Sequence, residues 1–88
     1  MHAGKAVVEL RLAACAQVSS PITSIYHWQG KICTESEFRL ILKTTISQKE
    51  ELINYLKNNH SYKIPEVVTT SITGGSEDFL LWIENETI

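Results

Sequence analysis

Ile22 to Thr45, ITSIYHWQGKICTESEFRLILKTT, reads as one long antiparallel hairpin, and in an 88-residue chain a hairpin of that length leaves room for little else. Ile22, Ile25, Tyr26 and Trp28 give the first arm its β-branched and aromatic weight. In the second arm Phe38, Leu40 and Leu42 alternate with Glu37, Arg39 and Lys43, the period-two signature of a strand with one buried face. Ile41 interrupts the alternation, which predicts burial on both faces there. Gln29 to Ser36 is mostly polar around Gly30 and is expected to be the turn region, with Cys33 in it.

Upstream, Ala6, Val7, Leu10, Ala13 and Ala14 fall at helical spacing, so a helix is expected from about Ala3 to Ala14. Cys15 to Val18 then starts an extended segment, which Ser19-Ser20-Pro21 bends. Downstream, Ser47 with Glu50 three residues on has the form of a capping box opening a second helix, whose buried stripe is Leu52, Ile53 and Leu56, with Tyr55 a further candidate. Lys57 and Asn58-Asn59 mark its end. Glu66 to Ile72 is rich in Val, Thr and Ile and predicts a strand that Gly74-Gly75 ends. Ser76 then caps a closing helix to Glu84, with Phe79, Leu80 and Ile83 as its apolar side.

This length implies a single domain over residues 1–88, burying ~60 to 65% of its unfolded surface and therefore helped by oligomerisation. A net charge of −2 with mixed signs provides no basic footprint for nucleic acid. No stretch is long and apolar enough for a membrane span, and no signal-peptide core follows Met1, so a cytoplasmic location is expected. Cys15 and Cys33 are then expected as free thiols, and no CxxC or HxxxH spacing marks a closed zinc site. Catalysis is not declared either: there is no activated nucleophile, no carboxylate pair with separated environments and no phosphate loop after Gly74-Gly75. A protein that is not an enzyme is expected.

Five ordered blocks carry a family resemblance: RLAAC at Arg11–Cys15, TSIYHWQGK at Thr23–Lys31, LILKT at Leu40–Thr44, HSYKIPEVV at His60–Val68 and FLLWI at Phe79–Ile83. Together they resemble the CutA family of divalent-cation tolerance proteins over nearly the whole chain. The resemblance implies an α+β, ferredoxin-like βαββαβ sandwich with a long central hairpin, whose first strand precedes the first helix. That strand is missing here, which is expected to leave either a closed-up sheet or unpaired edge groups, and a shortened N-terminus is the favoured explanation. A homotrimer is implied as well, with copper or another divalent metal ion as ligand.

Carried over residue by residue, the implied metal ligands are Cys15 and His60, a soft thiolate and an imidazole that suit copper or zinc. Asn59 stands where some relatives have a second histidine, and the missing first strand removes a second cysteine that some relatives hold. The structural alternatives are a small buried Cys15 at a helix end and a His60 cation completing a helix dipole. Trp28, Lys43, Tyr62, Glu66 and Trp82 also fall in or beside the blocks, either lining a cleft between subunits or packing the interface there. His27, between Tyr26 and Trp28, falls on the opposite side of its strand, where the alternatives are a ligand and a solvent-facing histidine, the second being expected. The rival functions are a trimeric small-molecule sensor similar to PII proteins and a purely structural interaction protein.

Overall fold

A computed structural model describes residues 2–59 and 66–88, apart from the side chain of His2. The elements in chain order are α1 (His2–Glu9), β1 (Cys15–Val18), β2 (Ile22–Trp28), β3 (Lys31–Glu37) and β4 (Leu40–Lys43), followed by α2 (Lys49–Asn58) and α3 (Glu77–Glu86). Two antiparallel ladders form: β2 pairs with β3 from Ile22↔Glu37 to Trp28↔Lys31, and β1 pairs with β4 from Cys15↔Lys43 to Val18↔Leu40. They are two halves of one ribbon. Ser19-Ser20-Pro21 interrupts one arm and Phe38-Arg39 the other, and the hydroxyl of Ser19 accepts the Arg39 N–H at 2.8 Å across the break.

The hairpin is therefore present, but its turn is tighter than the polar composition suggests. Gln29 and Gly30 alone make it, at φ 51° and 78°, the positive pair that a two-residue turn needs to match the strand twist. Residues 31–36 are strand, and Cys33 sits across from Tyr26 rather than in a loop. Polar composition misled here because both faces of this part of the ribbon are largely exposed, so no hydrophobic alternation is needed.

Helix α1 stops five residues earlier than its apolar spacing predicts. The Arg11 N–H bonds the Val8 carbonyl and the Leu12 N–H bonds the Val7 carbonyl, with Arg11 at φ 59°, which is a complete Schellman ending. A glycine would have announced it; arginine in the left-handed region did not. Leu12, Ala13 and Ala14 then turn back under the helix, and the Thr44 hydroxyl ties this turn to β4 by donating to the Leu12 carbonyl at 2.6 Å.

The capping box at Ser47 and Glu50 is not formed. A short 3-10 turn covers Ile46–Gln48, Ser47 Oγ lies 3.1 Å from Thr45 Oγ1, and α2 starts at Lys49 without a side-chain cap. The end of α2 is as expected, with the Asn59 backbone and side-chain amides both donating to the Tyr55 carbonyl. Ser76 does hold the N-cap position of α3, though its hydroxyl makes no cap bond. Glu66 to Ile72, expected as a strand, belongs to no ladder among the described residues.

The core lies between α1, α2 and one face of the β1–β4 ladder. Val7, Ala13 and Leu52 are buried, with Leu12, Leu42, Tyr55 and Leu56 packed against them. A Cβ on Gly4 would lie 3.1 Å from Ala16 Cβ and 3.2 Å from Leu40 Cδ1, so glycine lets α1 approach the sheet this closely. Helix α3 docks through Ile83, and the adjoining C-terminal residues clasp the α1–β1 turn. The Ile88 N–H donates to the Arg11 carbonyl at 3.0 Å, and the buried Thr87 hydroxyl satisfies itself on the Ile83 carbonyl at 2.7 Å.

The accessible surface is 7044 Å², against about 5,200 Å² for a compact monomer of this mass. The radius of gyration is 14.7 Å, where a compact chain of this length has about 12 Å. The ribbon accounts for the difference, because Ile25 and Ile32 on one of its faces and Trp28 at its tip stay exposed.

Candidate functional site

Of the two expected metal ligands, the structure places one. Cys15 opens β1 opposite Lys43 and is half-buried on the wall of an open groove between α1 and β1 that Lys5, Val8 and Glu9 also line. It is a free thiol, as is Cys33. His60 and Tyr62 lie outside the described residues. Among the described residues no three His, Cys, Asp or Glu side chains converge as a metal cage would require. One thiol does not fit a tight divalent site, so any such site at Cys15 needs a ligand from His60 or from another copy of the chain.

The other expected residues occupy separate parts of the surface. Trp28 stands at the tip of the ribbon, across from Lys31. Trp82 stacks on Phe79 at a ring separation of 5.8 Å on the outer side of α3, leaving both rings partly exposed. Lys43 donates to Gln17 Oε1 at 2.8 Å, on the same face of the β1–β4 ladder. Among the described residues the ion pair is Arg11 with Glu86 at 3.5 Å, so Lys43 and Glu66 are not paired within one chain. A cleft built from these groups is not assembled by the described part of a single copy.

One polar pair escaped the sequence reading. The Tyr26 hydroxyl donates to Glu35 Oε1 diagonally across the ribbon, since Tyr26 faces Cys33 and Glu35 lies two residues further along. The hydrogen bond to the Glu35 carboxylate, reinforced by desolvation and by that negative charge, pushes the phenol from 10.0 up to about 12. Only knowledge of the register could have revealed it. The unfolded chain releases this proton near the ordinary tyrosine value and the folded chain later. The contribution to stability is thus intact below pH 10 and is lost as pH rises through about 12. Phenolate absorbance is expected to show a late component from Tyr26, and Glu35→Gln to return it toward the ordinary value. A titration unmoved by that substitution would remove the carboxylate as the cause.

The matched family model, CutA1 divalent ion tolerance protein, spans residues 1–86. The chain belongs to the CutA1 family. It is 43% identical over 81 residues to the protein named "Protein CutA, chloroplastic" of Arabidopsis thaliana, covering 92% of this chain and 44% of that protein. It is also 43% identical to the divalent-cation tolerance protein CutA of Salmonella newport, covering 92% of this chain and 70% of that one. The chain thus spans under half of one curated relative and 70% of the other. Among solved structures, the Cut A1 divalent cation tolerance protein of Thermus thermophilus superposes with a TM-score of 0.93 at 38% identity, covering 98% of this chain and 84% of that one. CutA from Xylella fastidiosa reaches 0.95 at 33% identity, covering 99% and 84%. The ferredoxin-like α+β class expected from the sequence is therefore the fold of this CutA1 family member. Among the described residues, no helix is long and apolar enough to cross a membrane.

Proposed function

We propose that this CutA1 family member is a non-enzymatic, cytoplasmic, self-associating protein that binds divalent metal ions such as copper and acts in tolerance of them, working as a homotrimer. The observation that carries this proposal is the family match over residues 1–86 to proteins named for divalent ion tolerance. The accessible thiol of Cys15 and the large apolar surface left uncovered in one copy favour the same conclusion. Cys15 and His60 are the proposed ligands, and bound copper would take its soft donor from the thiolate.

Thermal unfolding with added copper, zinc or nucleotide tests this. Copper at a hundred times its dissociation constant adds about 2.7 kcal/mol. In a domain of this size that raises Tm by roughly 10 to 20 °C. Cys15→Ser with His60→Ala should abolish the rise. A rise that survives both substitutions would disprove the ligand assignment. Stabilisation by nucleotide alone would support a sensor of the PII kind, and stabilisation by neither would leave a structural interaction protein.

A further inference from the structure

We propose that the C-terminal end of α3 is a latch on the turn that carries Cys15, and that opening the latch frees the thiol. This deepens the metal binding proposed above by naming what holds its thiol ligand in place, and rests on it for that ligand's role.

The turn is the segment from Leu10 to Ala14, between the end of α1 and the first residue of β1, Cys15. Groups from elsewhere in the chain pin it at three points. The Ala14 N–H donates to the Lys43 carbonyl at 2.7 Å, the Thr44 hydroxyl donates to the Leu12 carbonyl at 2.6 Å, and the Ile88 N–H donates to the Arg11 carbonyl at 3.0 Å. The first two come from the strand already paired with β1 and the residue after it. The third comes from beyond α3.

Arg11 is the point of strain. At φ 59° it holds a left-handed backbone that a side chain disfavours and that glycine would hold freely. Its carbonyl takes the Ile88 N–H, and its guanidinium reaches Glu86 Oε1 at 3.5 Å, so backbone and side chain alike meet the end of α3. Between those two contacts the buried Thr87 donates to the Ile83 carbonyl at 2.7 Å, which fixes the direction in which the chain reaches Ile88. Strain of this kind persists where surrounding contacts hold it and relaxes when they go.

The latch can open by itself. Ile83 is the buried residue of α3 and stands apart from the cluster of Val7, Ala13 and Leu52, so the helix can lift while the core stays packed. Arg11 then loses its outside partner, and the slack reaches Cys15 four residues on, where the thiol is half-buried on the groove wall.

Alkylation of Cys15 by iodoacetamide, with Cys33→Ser removing the other free thiol, tests the latch without any metal. Ile88→Pro deletes the N–H, and Thr87 before it, at φ −112° and ψ 139°, already has the extended backbone that a following proline requires. Ile88→Ala keeps the N–H and trims an exposed side chain. Ile88→Pro is expected to speed alkylation roughly fivefold, the worth of one backbone hydrogen bond, while Ile88→Ala labels like the parent. Ile83→Ala, which undocks the helix, should speed it at least as much. Equal rates in Ile88→Pro and the parent would overturn the latch, as would Ile88→Ala matching Ile88→Pro. A parent protein that copper does not stabilise, with the difference in labelling intact, would overturn the metal binding and leave the latch standing.

Discussion

Val7→Asp is expected to leave the chain unfolded, with the helical far-ultraviolet signal lost and no cooperative melt. Val7 is fully buried, at the centre of the cluster with Ala13 and Leu52. Removing its side chain from that cluster gives up about 2 kcal/mol. The larger effect is the carboxylate, which is left without a cationic partner and costs several kcal/mol more. A domain of 88 residues has only roughly 4 to 13 kcal/mol in total. Val7→Ala keeps the site apolar and should retain a cooperative melt at lower temperature. A Val7→Asp protein that melts like the parent would show that the cluster is not the centre of the fold.

Ile83→Ala is expected to release α3 while the rest stays folded. Ile83 is the buried residue of that helix, and its truncation costs about 3 kcal/mol. Among the described residues little else opposes undocking. The Arg11–Glu86 pair is exposed on both sides and contributes little, and the Ile88 backbone bond depends on the helix staying in place. Amide exchange should therefore speed up by roughly a hundredfold from Leu80 to Glu84, and hardly at all along the β2–β3 ladder. Equal acceleration in both places would instead make α3 part of one global unit with the core.

Both variants act on elements that local pattern had placed. The apolar spacing of Ala6, Val7 and Leu10 and that of Leu52, Ile53 and Leu56 located two helices, and Phe79, Leu80 and Ile83 the third, because helix-period burial repeats within a few residues. The hairpin was legible for the same reason, and the ordered blocks from Arg11 to Ile83 were enough to reach the family. Cys15 and His60 were reached through that resemblance and not through any local ligand spacing.

Where the elements stop and what meets across them came only from the folded chain. Arg11 ends α1 in a left-handed conformation that its side chain does not advertise, held by carbonyls from the preceding turn. Gln29-Gly30 is a two-residue turn only because the register closes Trp28 against Lys31. Tyr26 finds Glu35 through cross-strand phase. Composition determined that this chain makes helices and a ribbon, since burial period is written in neighbouring residues. Register was left to the tertiary structure, because it depends on which distant backbone groups face one another.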